Sequence, residues 1–313
     1  MPQHTTRSGF VVHTVDLSFQ GVSMTIAVYA IPHEGGVVLV ESGPGSTLDA
    51  VEAGLERLGY RLDDVTHVLL THIHLDHAGA AGHFARQGAH VYVHHVGAPH
   101  MINPERLLTS ARRLYGDAMD RLWGEFLPVP TDRLTALHDG DEIVVGPLRF
   151  LALDTPGHAN HHVAFLLEDF CFLGDIGGVR LPGTRVIRLP TPPPEFHLER
   201  WRQSVDRLHR TFAEHAVTHV APTHFGVFDD PEQHLQAVRE ALDDLEQWLE
   251  TTMAASPTQE ELRHQLHEHL KAYLLSRGFP PELWAEHEAV MPIAMSADGL
   301  WRYWHKYRAS GKT

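Results

Sequence analysis

The stretch from Val68 to His77 most strongly constrains what this chain can fold into. It reads Val-Leu-Leu-Thr-His-Ile-His-Leu-Asp-His, an apolar strand that runs into a segment where four of six residues are metal-ligand types. Because side chains alternate along a strand, His72 and His74 point the same way at its end. Asp76 and His77 follow where the chain turns, and their side chains can bind at a neighbouring point. The loop can thus supply two adjacent metal sites, and imidazole with carboxylate suits zinc, iron or manganese.

Composition and charge bear on the partners of this chain. It has 313 residues, 27 of them histidine, with 25 Lys+Arg against 40 Asp+Glu and a formal net charge of −15 at pH 7. Phosphate contacts need Lys and Arg in number, so an acidic chain binds nucleic acid poorly. We therefore expect a small-molecule substrate and no nucleic-acid partner. The single cysteine, Cys171, excludes an intramolecular disulfide framework and any cysteine-based zinc module.

Hydrophobic patterning predicts no membrane segment. The longest apolar stretches, such as Val37–Val40 and Val163–Leu167, have the length of strands and are too short to span a bilayer. No apolar core of signal-peptide length follows the first residues. We therefore expect a cytoplasmic protein without a membrane partner, and a homodimer is left open as its assembly.

Short apolar runs separated by turn residues dominate the first 230 residues, with helical patterns between them. Many short strands with interspersed helices indicate two sheets faced by helices. One of the predicted helices is Arg106–Phe126. The predicted strands are Phe10–Val15, Met24–Ile31, Val37–Glu41, Val65–Leu70, His90–Val93, Ile143–Val145, Leu148–Leu153, His162–Leu167, Phe170–Leu173 and Val217–Ala221.

The apolar spacing becomes helical throughout after Pro231. One tail helix is predicted to open at Ser256-Pro257, with a capping serine and a proline in the first turn. We therefore divide the chain into an α/β domain, residues 1–230, and an all-helical extension, residues 231–313.

The histidine-rich loop resembles the signature of the metallo-β-lactamase fold hydrolases, a dinuclear-metal superfamily with an αββα sandwich. The family pattern also asks for a third-loop histidine, a bridging aspartate and a last histidine, each at a strand end. This chain supplies them in that order, in Thr155-Pro156-Gly157-His158, Leu173-Gly174-Asp175 and Pro222-Thr223-His224. The resemblance covers residues 10–230. It implies an α/β fold, a four-layer αββα sandwich, which a C-terminal helical extension would follow.

The resemblance also implies a set of metal ligands for two divalent ions. One ion would be held by His72, His74 and His158, the other by Asp76, His77 and His224, and Asp175 would bridge them. We expect zinc, with iron or manganese as alternatives. Asp76 is the candidate catalytic residue, because it would orient the nucleophile and pass its proton to the leaving group.

Two stretches depart from the family pattern. The family commonly has Asp-Thr-Gly after the third strand, whereas this chain has Glu41-Ser42-Gly43. We expect that change to affect how ligands are oriented and not which residues are ligands. After His158 the family often continues Thr-x-Gly, whereas here His161 and His162 stand beside the site. This second departure bears on substrate preference more than on the fold.

The resemblance implies metal-assisted hydrolysis, in which a metal-bridging hydroxide attacks the substrate. A helical tail after the last histidine is similar to the layout of glyoxalase II-type thioesterases and some lactonases. We therefore expect a small thioester or ester as substrate, as in hydroxyacylglutathione hydrolases. A lactonase or a phosphodiesterase on the same site is an alternative. An alternative of another class is a persulfide dioxygenase with one iron, held by residues matching His72, His158 and Asp175.

Two segments are candidate substrate contacts. The loop after Asp175 carries Arg180, Arg185 and Arg188 and must pass near the metals. The tail segment Trp301–Arg308 combines aromatic and cationic side chains. These would either grip a small anionic acyl group or belong to an amphipathic helix packed on the body, and the sequence leaves both interpretations open.

Overall fold

Seven strands form the first of two sheets in the computed structural model, which describes residues 1–309. In chain order they are β1 Gln3–Thr5, β2 Val11–Asp16, β3 Ala27–His33, β4 Gly36–Val40, β5 Val65–Leu69, β6 His90–His94 and β7 Leu134–Leu137. Their order across the sheet follows the chain. Strands β1 to β4 pair antiparallel, and β4 to β7 pair parallel.

The second sheet has five strands, β8 Glu142–Val145, β9 Leu148–Asp154, β10 Val163–Leu167, β11 Phe170–Phe172 and β12 His219–Ala221. Strands β11 and β12 pair in parallel, and the other neighbours pair antiparallel. Along β10, Val163 and Phe165 face the first sheet, whereas Ala164 and Leu166 face helices. Both faces of β10 are therefore covered, which explains why this strand reads as a continuous apolar run.

Helices cover the outer faces of both sheets. The first sheet carries α1 Leu48–Glu56, α2 Leu75–Ala78, α3 Ala81–Arg86, α4 Ala98–Ile102, α5 Glu105–Tyr115 and α6 Met119–Trp123. The second carries α7 Leu198–His215, α8 Pro231–Ala254, α9 Gln259–Ser276, α10 Pro281–Val290 and α11 Ile293–Tyr303, extended by a π-helical segment Trp304–Arg308. Three apolar clusters fill the spaces between the layers. The predicted four-layer αββα sandwich with C-terminal helices is confirmed.

The C-terminal helices share a core with the sandwich. Leu242 of α8, Leu266 of α9 and Leu300 of α11 belong to the same buried cluster as Trp201 of α7. Pro231 occupies the first turn of α8, where its missing N–H costs no hydrogen bond. The division of the chain at residue 230 stays a prediction. Within residues 1–309, no helix combines the length and apolarity needed to cross a membrane.

Two predicted helix boundaries were wrong. The helix expected over Arg106–Phe126 ends at Gly116, whose φ of 50° and ψ of −130° interrupt the helical backbone, and α6 then follows. The cap of α9 is Thr258, not Ser256, because Thr258 Oγ1 accepts the N–H of Glu261 and the Glu261 carboxylate accepts the N–H of Thr258. This reciprocal capping box satisfies two free N–H groups at the helix start.

The elements that were not predicted include β1, β7 and α10. Strands β1 and β7 lie at the two edges of the first sheet. Edge strands are short and tolerate polar side chains, so they lack a strong apolar signal. Helix α10 begins directly after Pro280, and the Pro280-Pro281 pair reads as a break although Pro281 is favourable in a first turn.

Candidate metal centre

Loops after four strands converge at one edge of the sandwich. His72 follows β5, His158 follows β9, Asp175 follows β11 and His224 follows β12, while Asp76 and His77 lie on the short helix α2. The structure brings all seven predicted ligands together. They form three overlapping groups, in each of which the ligand atoms lie within 4.8 Å of one another: His72, His74 and His158; His72, His77 and Asp175; and Asp76, His77 and His224.

Three ring nitrogens define the first cluster. Nε2 of His72 lies 3.0 Å from Nδ1 of His74, and Nε2 of His158 lies 2.9 Å from the same atom. Nitrogen ligands about 2 Å from a tetrahedral zinc ion lie roughly 3.3 Å apart, so this spacing is close to that of ligands around one ion.

The second cluster joins two histidines to one carboxylate. Nε2 of His77 and Nε2 of His224 each lie 3.4 Å from Oδ2 of Asp76. The side chains of His77 and His224 are 0% and 3% exposed, whereas that of Asp76 is 24% exposed. Asp76 is therefore the member of this cluster that solvent, or a substrate, can reach.

Asp175 lies between the two clusters and shows one carboxylate oxygen to each. Its Oδ2 lies 3.3 Å from Nε2 of His158, in the first cluster. Its Oδ1 lies 3.2 Å from Nε2 of His77 and 3.3 Å from Nε2 of His224, in the second. This arrangement matches a carboxylate that bridges two metal ions.

Two buried atoms of the centre have no hydrogen-bond partner among residues 1–309. They are Nε2 of His77 and Oδ1 of Asp175. A buried polar atom without a partner costs about 1–3 kcal/mol, so native proteins rarely leave one unsatisfied. The two atoms lie 3.2 Å apart without forming a hydrogen bond, a spacing that two ligands of one metal ion would also have. Together with the imidazole and carboxylate donor set, they show that these residues fit zinc, iron or manganese.

Backbone carbonyls fix the orientation of two ligand rings. Nδ1 of His158 lies 2.9 Å from the carbonyl oxygen of Pro190, and Nδ1 of His224 lies 2.6 Å from that of Thr25. A carbonyl only accepts, so each Nδ1 carries the proton and donates it. Nε2 is therefore left free to bind a metal.

A buried carboxylate performs the same task for a third ring. Oε1 of Glu41 lies 2.9 Å from Nδ1 of His77 and accepts the hydroxyl protons of Thr71 and Thr223. Glu41 contacts the side of His77 that faces away from the cluster, so it is not a ligand itself. Its place is the one expected of a residue that orients a ligand.

Charge differs between the two clusters. Burial, together with neighbouring His158, lowers the pKa of His74 to about 3, so this ring is neutral. Burial alone would lower the pKa of His77, but the carboxylates of Asp76 and Asp175 raise it well above its usual value. A divalent ion bound to the second cluster would therefore replace a proton, so acid opposes metal binding there.

His162 and His161 lie beside the centre and have different partners. Nε2 of His162 accepts the backbone N–H groups of Asp175 and Ile176, at 3.1 and 3.3 Å. Its Nδ1 then carries the proton and donates to Thr155 at 2.8 Å. His162 thus holds the backbone of Asp175 and Ile176 in place and has no free nitrogen for a metal. The ring of His161 lies 5.5 Å from that of His74.

The three arginines of the loop after Asp175 have different environments. Arg180 forms a bidentate ion pair with Asp230, at 2.6 and 2.8 Å, and the side chain of Arg185 is 80% exposed. Burial lowers the pKa of Arg188 to about 10, while the charges of Glu288 and Asp175 raise it. Arg188 is therefore the arginine of this loop whose charge interacts with Asp175.

Tail residues lie close to the same region. Nη1 of Arg188 donates to the carbonyl of Met291 at 2.8 Å, and the hydroxyl of Tyr115 lies 3.5 Å from Sδ of Met295. Burial raises the pKa of Tyr115, and the charge of Asp76 raises it further. Met291, directly after α10, and Met295, in the first turn of α11, therefore contact side chains that interact electrostatically with Asp175 and Asp76.

The end of the tail packs on the sandwich. Tyr303 is 2% exposed and donates to Glu199 of α7 at 2.7 Å. Arg308 pairs with Glu199 at 3.0 Å and also contacts Glu246. Within Trp301–Arg308 these two side chains thus bind to α7 and α8. This favours packing on the body over contact with a substrate.

The chain is similar in sequence to known proteins. The model of the metallo-beta-lactamase superfamily matches residues 21–225, about two thirds of the chain. A metallo-beta-lactamase fold-containing protein of Sulfurisphaera tokodaii is 29% identical over 150 residues, which are 47% of this chain and 56% of that protein. A hydroxyacylglutathione hydrolase of Aeromonas hydrophila is 30% identical over 152 residues, 47% of this chain and 45% of that enzyme. The chain spans about half the length of these curated relatives.

Solved structures resemble the whole fold. A metallo-beta-lactamase family protein of Thermus thermophilus has a TM-score of 0.64 at 24% identity, covering 96% of this chain and 94% of that one. An archaeal metallo-beta-lactamase superfamily protein of Sulfolobus tokodaii has a TM-score of 0.58 at 24% identity, covering 73% and 85%. The first of these similarities extends beyond the sandwich into the helical tail.

Proposed function

The chain belongs to the metallo-beta-lactamase superfamily, and from this premise we propose that it is a dinuclear metal-dependent hydrolase of a small thioester or ester. The observation that carries the proposal is the position of Asp175, whose two carboxylate oxygens face different histidine clusters. Two divalent ions, for which we propose zinc, would supply a water of lowered pKa and a Lewis acid for the substrate's carbonyl oxygen.

Asp76 is ionised, as a residue that accepts a proton from water must be. Burial alone would raise its pKa, but His77 and His224 hold that pKa well below its usual range, so the carboxylate is ionised. It is also the exposed member of its cluster. We assign to it the orientation of the attacking water and the transfer of a proton to the leaving group.

The side chains around the centre support a small, anionic acyl substrate. The guanidinium of Arg188 donates one hydrogen bond to Met291, and its remaining N–H groups have no acceptor among residues 1–309. Charged hydrogen bonds contribute about 1.5–3 kcal/mol, enough to select a carboxylate over a neutral group. Tyr115 and Met295 lie nearby and add aromatic and apolar surface. The matched hydroxyacylglutathione hydrolases support a thioester as the scissile group.

Parallel assays on the purified, zinc-loaded protein test the proposal. We expect hydrolysis of a hydroxyacyl-glutathione thioester to exceed that of a lactone and of bis-p-nitrophenyl phosphate. Asp175→Asn provides a control of nearly equal size, which should abolish the activity without changing the fold. One iron per chain, with oxygen uptake on glutathione persulfide, would instead identify a dioxygenase and overturn the hydrolase proposal.

A further inference from the structure

Helix α11 lies directly against the backbone of the loop at residues 190–194, and Gly299 is the point of contact. A Cβ atom added to Gly299 would lie 1.9 Å from the carbonyl oxygen of Thr191 and 2.8 Å from the carbonyl carbon of Pro192. Both distances are shorter than the 3.0 Å that real Cβ atoms keep from their neighbours. The helix can therefore approach the loop this closely only because residue 299 has no side chain.

Hydrogen bonds tie the same loop to the same helix. The N–H of Thr191 donates to Oγ of Ser296 at 3.3 Å, and Oγ1 of Thr191 donates to the carbonyl of Ser296 at 3.1 Å. Thr191 is 1% exposed, so water does not compete for these groups. The position of Thr191 is thus set by α11 through steric contact at Gly299 and by two hydrogen bonds at Ser296.

The residue before Thr191 contacts the metal centre. The carbonyl of Pro190 accepts the Nδ1–H of His158 at 2.9 Å, and His158 is 1% exposed. The segment reads Pro-Thr-Pro-Pro-Pro, and proline rings restrict the backbone angles that would absorb a displacement. A shift imposed on Thr191 is therefore passed on to the Pro190 carbonyl, and so to the orientation of the His158 ring.

We propose that Gly299 is a positioning residue of the metal centre. By admitting α11 to the backbone of Thr191, it holds the Pro190 carbonyl where that group orients His158. The inference rests on the proposed function, since it requires His158 to be a metal ligand. It makes the C-terminal helices part of the metal-binding apparatus.

Zinc affinity of Gly299→Ala tests this role. Competition against a chromophoric chelator should show one of the two zinc ions bound about 10–100-fold more weakly than in wild type, as is usual when the partner of a ligand is disturbed. The matched control is Gly278→Ala, which strains the tail at a φ of +92° but has no neighbour within 4 Å of the added carbon. That control should keep both affinities, and unchanged affinities in Gly299→Ala would overturn the inference.

A double-mutant cycle shows whether Gly299 acts through His158. In a His158→Ala background, Gly299→Ala should cause no further loss of zinc affinity, because the ring that it orients is gone. An equal loss in both backgrounds would mean that Gly299 merely stabilises the tail, and would overturn the inference.

Ser296→Ala tests the same contact if Gly299→Ala does not fold. This variant removes one hydrogen-bond acceptor without introducing a clash. It should weaken the binding of the same zinc ion about fivefold, which is the equivalent of one neutral hydrogen bond. Unchanged affinity in that variant would contradict the inference. If the wild-type protein binds no zinc, both the proposed function and the inference are overturned. If Gly299→Ala binds both zinc ions with wild-type affinity, only the inference is overturned.

Discussion

Oε1 of Glu41 lies 2.9 Å from Nδ1 of His77, and both side chains are fully buried. The pair places a negative charge behind a ligand ring, on the side opposite the metal centre. Such a partner holds the ring's orientation and increases the basicity of its free nitrogen. Glu41, which is 36 positions from His77 in the sequence, thus orients a member of the second cluster without belonging to that cluster.

Glu41→Gln should weaken zinc binding at the second cluster. The amide retains the shape and one acceptor but loses the charge behind His77, so we expect about 10-fold weaker binding of one ion. Chelator competition measures the change, and Glu52→Gln on the exposed face of α1 is the matched control. Equal zinc affinities in Glu41→Gln and wild type would contradict this role of Glu41.

Asp76→Asn should lower the turnover number more than it changes substrate binding. An amide cannot accept the proton of the attacking water, and the loss of proton transfer typically costs about 10²–10⁴-fold in rate. Steady-state kinetics with saturating zinc measures kcat and KM separately. Asp63→Asn, at a side chain 60% exposed, serves as the control. A variant of Asp76 with wild-type kcat would exclude the assigned role.

Arg188→Gln should raise KM for an anionic thioester about 10-fold or more, because a charged hydrogen bond to the substrate is lost. The effect on a neutral thioester should be small. Arg185→Gln lies on the same loop but at an 80% exposed side chain, and it should leave both KM values unchanged. Equal losses on neutral and anionic substrates would show that Arg188 acts on the fold and not on the charge.

Acid should destabilise the fold through His234. Burial and the nearby charge of Arg180 lower the pKa of His234 to about 4 from an ordinary value of 6.5. Between pH 6.5 and 4 the unfolded chain binds a proton that the folded chain excludes, so stability falls as the pH falls through that window. A shift of this size corresponds to about 3 kcal/mol.

His234→Gln should flatten that part of the pH dependence. Glutamine can donate to Gly177 and accept from Arg180, as His234 does at 2.9 and 3.2 Å. Urea unfolding at a series of pH values measures the free energy of unfolding, and His264→Gln on the exposed face of α9 is the control. A variant of His234 that loses as much stability as wild type between pH 6.5 and 4 would refute the assignment.

The candidate ligands were accessible to sequence analysis because their signal is local. Each is a ligand-type side chain that follows a strand, directly or, for Asp76 and His77, on the short helix after β5, and strand ends meet at one edge of the sandwich. The residues around the ligands are different. Glu41 is recognisable only through contacts with distant residues such as Thr223, which is 182 positions away.

The arginines show the same limit of sequence reasoning. Arg180 and Arg188 are chemically alike and lie on one loop, so sequence alone does not rank them. Asp230 engages Arg180, and the tail carbonyl of Met291 places Arg188 beside the centre. Likewise, the close approach of Gly299 to Thr191 depends on how α11 docks. Tertiary packing decides these roles, and no local pattern encodes them.

The metal content of the purified protein tests the central claim most directly. Elemental analysis by mass spectrometry, on protein prepared without added metal or chelator and repeated after zinc loading, gives the number of ions per chain. The two clusters and the bridging Asp175 predict about two divalent ions per chain, falling to one or none in Asp175→Asn. Wild-type protein that holds no metal after zinc loading, or that holds a single iron, would contradict the account.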